Sequence, residues 1–166
     1  MHDDVPEMGI EIYADERVYV YRECIETPRF LATNYKVTYS MPDHMWDKPW
    51  TKVLYIAERQ ELDRFEPLYR ERYDSGNAVR SGARYLDMVA NGVSKGTGIL
   101  RLAELCGIDR KNIIAAGDNM NDIDMLQTAG ISWAVENAEP EAKAAAMHIA
   151  PDNNRDAIAY IIENIL

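Results

Sequence analysis

Apolar and polar residues alternate with a period of two from Gly9 to Ala14 and again from Arg17 to Arg22, on either side of Asp15-Glu16. That pattern predicts a β-hairpin. Thr27-Pro28 has the form of an N-cap and first-position pair for a short helix. Met41 to Pro49, with two prolines and Trp46 and with Trp50 directly after it, reads as an irregular loop. Lys52 to Ala57 predicts a strand. Leu62, Phe65 and Tyr69 then recur at helical spacing through Glu58 to Tyr73, where the internal Pro67 is expected to kink or break the helix. Ala78 to Ser81 and Arg84 to Val89 predict two more strands joined around Gly82. Beyond residue 90 the pattern changes. Ile99, Leu102, Ala103 and Cys106 form one helical face that ends at Gly107. Strand Ile113 to Ala116, helix Asn121 to Ala129 and strand Ile131 to Val135 follow. A helix with Pro140 in its first turn, a short strand His148 to Ala150 and a last helix Asp156 to Ile165 complete the series. Strands alternating with helices at this spacing imply βαβ units, a parallel sheet and right-handed crossovers that place helices on both faces. The predicted class is α/β, with residues 1–89 as a small α+β unit and residues 90–166 as part of a doubly wound, Rossmann-like core.

Composition supports that division. Nine of the ten tyrosines precede residue 90, where they read as core and cross-strand packing, while alanines crowd the second half. The 166 residues suffice for one ordinary domain or two small ones. Acids outnumber bases 28 to 18, for a net charge of −10, so a phosphate backbone would be repelled and no nucleic-acid partner is expected. No apolar run approaches the ~20 residues that span a bilayer, and Met1-His2-Asp3-Asp4 lacks the basic and apolar segments of a signal peptide. No membrane partner is therefore expected. Cys24 and Cys106 form no metal-binding or redox motif, and two buried thiols in a reducing cytoplasm are the expectation.

The segment Gly117-Asp118-Asn119-Met120-Asn121-Asp122 carries the strongest chemical signal. It follows an apolar strand and precedes a helix, and in open α/β sheets ligands bind at that edge. Two carboxylates about 4 Å apart repel by roughly 4 kcal/mol at an effective dielectric near 20. A divalent cation removes that repulsion, and an oxygen-only ligand set favours Mg²⁺ over zinc. The plainer alternative is that both acids only cap the next helix, worth about 0.3–1 kcal/mol each. Lys95, in Ser94-Lys95-Gly96-Thr97-Gly98, opens another helix. A cation is disfavoured against the positive end of a helix unless an anion also occupies the site, and helix N-termini bind phosphate well. The alternative there is a solvated lysine. Neither a P-loop nor an EF-hand fits these spacings.

Together, Ser94-Lys95-Gly96 and Gly117-Asp118-Asn119-Met120-Asn121-Asp122 resemble the third and fourth motifs of the haloacid dehalogenase (HAD) superfamily. The closer resemblance is to its Cof-type phosphatases with an α/β cap. The run from Ala78 to Gly96 looks like that group's return from cap to core, and Gly9 to Tyr13 resembles a cap strand. The resemblance implies that residues 1–89 are a partial cap and 90–166 the C-terminal part of the core. It further implies Mg²⁺-dependent hydrolysis of a small phosphorylated metabolite through an aspartyl-phosphate. Lys95 would hold the phosphoryl group, Asp118 would ligate Mg²⁺, Asp122 would complete or orient the metal shell, and Asn121 would approach the phosphate.

The superfamily's Asp-x-Asp-x-Thr nucleophile motif is not found in these residues. The lone Asp-x-Asp, Asp122-Ile123-Asp124, follows no strand. The expectation is a C-terminal fragment, inactive by itself. The alternative is a non-catalytic divalent-ion or phosphate-binding module. Without the nucleophile strand, Ile113 to Ala116 would be an apolar sheet edge. Self-association, or an N-terminal segment bound as a second chain, is then expected.

Overall fold

The computed structural model describes residues 7–72 and 76–165. The chain divides into two compact units, one reaching to Asn91 and the other beginning at Gly92. In the first, strands β1 (Gly9–Ala14), β2 (Arg17–Arg22), β3 (Val37–Thr38), β4 (Lys52–Ile56), β5 (Asn77–Gly82) and β6 (Tyr85–Val89) accompany one helix, α1 (Arg59–Arg72). The sheet order is β3-β2-β1-β4-β6-β5. Neighbours run antiparallel apart from the short parallel pair β2-β3. The expected hairpin forms between β1 and β2. Asp15 and Glu16 turn it with φ of 50° and 55°, the left-handed conformation that matches the twist of two-residue hairpins.

One sheet face is covered twice. Leu62 and Phe65 of α1 pack on Ala78, Leu86 and Met88, while Met45 and Trp50 close over Ile12, Ala14 and Tyr19. Met41 to Pro49 is thus less irregular than its composition suggests, because a 3₁₀ turn at Asp43–Met45 buries Met45. Pro67 does not break α1. It lies on the exposed side, where one missing N–H is outweighed by burial of Leu62 and Phe65, roughly 1.5–3 kcal/mol apiece. Thr27 is not an N-cap: Thr27–Ala32 is a 3₁₀ helix capped at Glu26, and the Thr27 hydroxyl accepts the Cys24 N–H at 2.8 Å.

The opposite face carries charge. Glu11, Leu54 and Asp87 are register neighbours across β1, β4 and β6. Glu11 is wholly buried, takes Arg29 at 2.6 Å and accepts the Tyr13 hydroxyl at 3.1 Å. Burial and the adjacent Glu11 carboxylate push the Tyr13 phenol well above its ordinary range. Lys52 pairs with Asp87 at 2.6 Å.

The second unit contains α2 (Lys95–Cys106), β7 (Ile114–Gly117), α3 (Ile123–Thr128), β8 (Ile131–Val135), α4 (Pro140–Ala145), β9 (His148–Ala150) and α5 (Ala157–Ile165). Strands β7, β8 and β9 form a parallel sheet in that order, as the βαβ rhythm predicts. Its core gathers Ala103, Ala115, Leu126, Trp133, Ala134, Ala142 and Ile161. Two expectations fail. The α2 face is narrower than its periodicity suggests, since Ala103 is buried but Leu102 and Cys106 are exposed. The thiols are not buried either: Cys24 is half-buried and Cys106 exposed. Among the described residues β7 pairs with β8 alone, and Ile114 is 41% exposed on that open edge. None of the described helices is long and apolar enough to cross a membrane.

Candidate active site

The site is built where β7 ends. Gly117 closes the strand against the side chain of Asp122, and a Cβ at Gly117 would stand 2.5 Å from Asp122 Cβ. Only a glycine lets the carboxylate fold back beneath the turn. Asp122 Oδ2 accepts the backbone N–H groups of Asp118 at 3.0 Å and Asn119 at 3.1 Å. Its other oxygen takes the Lys95 ammonium. Asn119 caps a 3₁₀ turn, Met120–Asp122, that leads into α3. The helix therefore starts two residues later than periodicity indicates, because the acidic turn is held by its own side chains. Burial pushes the Asp122 carboxyl up, but the Lys95 hydrogen bond and the two N–H groups outweigh it and hold it below the usual carboxylate range.

Asp118 is placed differently. Its N–H is tied to Asp122 and its carbonyl accepts the Glu139 N–H at 2.9 Å. Its carboxylate is exposed, with no hydrogen bond or ion pair to the described residues. Backbone fixation on both sides with a free carboxylate leaves Asp118 available to a ligand from solvent.

Lys95 stands at the first position of α2, its side chain 48% exposed. Two amides of that helix end are already engaged. Ser94 Oγ accepts the Thr97 N–H at 3.0 Å, and Asp124 Oδ2 reaches across to the Gly96 N–H, also at 3.0 Å. A Cβ at Gly96 would sit 2.7 Å from that oxygen and 2.9 Å from the Asp124 carbonyl. Asp124 thus pins the start of α2 to α3, a part the sequence reading did not assign. Its one signal was the glycine directly after Lys95, which marks a close approach of backbone.

A family described as haloacid dehalogenase-like hydrolase matches residues 3–162. The chain belongs to that family. Among curated relatives, the Escherichia coli (strain K12) 5-amino-6-(5-phospho-D-ribitylamino)uracil phosphatase YbjI is 39% identical over 89 residues, covering 54% of this chain and 33% of that protein. A Thermotoga maritima crystal structure superposes with a TM-score of 0.74 at 27% identity, covering 99% of this chain and 63% of that one. A haloacid dehalogenase-like hydrolase from B. subtilis gives 0.81 at 20% identity, over 98% and 67%, and so speaks to fold alone. The HAD and Cof-type resemblance and the α/β class both hold. The chain spans about half or less of the length of the first curated relatives it matches.

Within this HAD frame the structure brings Lys95 and Asp122 into contact and sets Asp118 one turn away, with the half-buried Asn121 between them in the chain. No group of three or more His, Cys, Asp or Glu side chains converges among the described residues. The donors still suit Mg²⁺, which keeps several waters and needs only one or two carboxylates. Asp118 has the free oxygens for direct coordination. Asp122, with both oxygens occupied, would orient the turn that carries Asp118.

Proposed function

We propose that the whole protein is a Mg²⁺-dependent phosphomonoester hydrolase acting on a small phosphorylated metabolite. Residues 92–166 would supply the cation and phosphate half of the site. The observation that carries this reading is the pairing of Lys95 with Asp122 beneath a turn that leaves the Asp118 carboxylate free. The relatives' phosphatase names agree with it, although the matches cover 43% and 33% of those two proteins. Residues up to Asn91 are proposed as part of a substrate-selecting cap, and the cytoplasm as the compartment.

Uncatalysed phosphomonoester hydrolysis is among the slowest known reactions, so charge stabilisation must do most of the work. Mg²⁺ bound at Asp118 would neutralise phosphoryl oxygens and orient the ester. Lys95, partly exposed, would turn its ammonium from Asp122 toward a phosphoryl oxygen. Asp122 would keep that ammonium aimed, and Asn121 would donate a side-chain N–H to the phosphate. The attacking carboxylate that forms the aspartyl-phosphate is assigned to a segment outside these 166 residues, since they contain no Asp-x-Asp-x-Thr. That same observation favours, as a second reading, a module that binds Mg²⁺ or phosphate without turnover.

The test is complementation. The gene's upstream codons, expressed as a separate polypeptide, are mixed with this chain and assayed on p-nitrophenyl phosphate with and without Mg²⁺. Mg²⁺-dependent turnover that requires both polypeptides, and is lost with Asp118→Asn, is expected. Mg²⁺ binding by calorimetry with no turnover would favour the second reading, and turnover by this chain alone would refute the division of roles.

A further inference from the structure

A cavity of about 450 Å³ opens in the first unit between the Trp46–Trp50 segment, the sheet and the end of α1. Its size falls within the range of small-molecule sites. Four aromatic side chains line it, Trp46, Trp50, Tyr55 and Tyr69, together with Lys48 and Lys52. Among the described residues none of its lining is an Asp or Glu, although the chain carries 28 of them and a net charge of −10.

The walls are held in place. Met45 anchors the segment in the core, and the Trp50 indole N–H donates to the Met45 carbonyl at 2.9 Å. The Thr51 N–H is tied to the Tyr13 carbonyl at 2.7 Å. Trp46 stands edge-on to Trp50, with ring centroids 5.5 Å apart, and edge-on to Tyr21 at 5.6 Å, yet remains 47% exposed. An indole fixed by two aromatic neighbours while still open to solvent is a prepared stacking surface. Lys52 already has a partner in Asp87. Lys48 is exposed and has no partner among the described residues, so it is the cation left for an anion.

We propose that this cavity binds a nucleoside 5′-monophosphate, its base against the Trp46 and Trp50 rings and its phosphate on Lys48. Aromatic walls recognise a planar ring by stacking, without regard to which base it carries. The unpaired Lys48 ammonium selects those rings that also bear negative charge. The proposal uses residues of the first unit alone and does not rest on the phosphatase reading.

The test is calorimetric titration of the full chain with AMP, adenosine and ribose 5-phosphate, with tryptophan fluorescence followed in parallel. AMP is expected to saturate and quench, with each half-ligand at least about tenfold weaker because it loses either stacking or charge pairing. Trp46→Ala and the surface change Lys48→Glu should each weaken AMP by at least about fivefold. Lys95→Ala empties the phosphate position proposed for the other unit, so the AMP binding that persists in that variant reports this cavity. Ribose 5-phosphate binding as tightly as AMP would overturn the proposal. So would AMP binding abolished by Lys95→Ala but not by Lys48→Glu, or no saturation in the millimolar range. Circular dichroism separates loss of binding from loss of fold for Trp46→Ala, and Lys48→Glu decides the matter if that variant unfolds.

Discussion

Replacing Asp122 and replacing Lys95 should have very different consequences for stability, although the two side chains touch. Asp122→Ala removes a buried carboxylate that accepts two backbone N–H groups and an ammonium. A hydrogen bond to a charged acceptor contributes about 1.5–3 kcal/mol. Water can reach part of the turn, because Asp118 is exposed, so loss of both N–H bonds is set at about 2–4 kcal/mol rather than the full sum. Lys95→Ala removes an ammonium on a side chain that is 48% exposed. Pairs of that kind contribute about 0.2–1 kcal/mol, and Asp122 keeps both amides. Urea unfolding measures the difference, with Trp133 as reporter in a Trp46→Phe, Trp50→Phe background so that the signal comes from the second unit. With a slope of about 2 kcal/mol per molar, Asp122→Ala should lower the midpoint by about 1–2 M and Lys95→Ala by about 0.5 M or less. Equal losses for the two variants, or an Asp122→Ala loss below about 0.5 kcal/mol, would refute the assignment of Asp122 as the holder of the turn.

Gly96→Ala should destabilise by about 1–3 kcal/mol through overpacking against Asp124; thermal melting checks it, and adding Asp124→Ala should recover little, because the Asp124 carbonyl at 2.9 Å also obstructs the methyl. Glu66 is raised by burial but lowered further by its bonds to Arg70 and Arg80, for a net pKa below the ordinary carboxylate value of 4.5. A folded-state pKa below the unfolded one stabilises above the unfolded value, so this contribution should fade as pH falls below about 4.5 and be absent at neutral pH in Arg70→Ala/Arg80→Ala, as denaturant midpoints across pH will show. Ile114→Lys places a charge on the open edge of β7 and should reduce self-association of the isolated chain in sedimentation velocity; an unchanged distribution would exclude that edge as the contact.

Local patterns were readable in the sequence, and contacts between distant segments were not. The hairpin about Asp15-Glu16, the end of α2 at Gly107 and the strand Ile131–Val135 follow from periodicity and turn chemistry within a few residues. Asp118, Asp122 and Lys95 were visible because their motifs are short. The bond from Gly96 to Asp124 spans 28 residues and leaves no local trace beyond one glycine. Glu11 illustrates the same limit. Alternation placed it on a strand, but its complete burial depends on Arg29, 18 residues later, and on a 3₁₀ turn that Thr27-Pro28 only half announced. Leu102 and Cys106 failed for a different reason: helical spacing identifies an apolar stripe, and the packing partner alone decides how much of the stripe is covered.

The engaged amides of Gly96 and Thr97 have a consequence for how an anion at the start of α2 would be held and let go. A row of fixed amides reads the shape of a tetrahedral ion and releases it slowly. Here the amides of Gly96 and Thr97 are committed to Asp124 and Ser94, so on the proposed reading the Lys95 ammonium, on its four-carbon stem, would be the main group to meet the ion. Such a tether could follow an oxygen that shifts by an ångström or more during transfer, and it would return to Asp122 when the ion departs. The grip would be on charge rather than outline, so it would weaken steeply with ionic strength. It would also discriminate little among tetrahedral dianions, and any finer choice of substrate would fall to other parts of the protein.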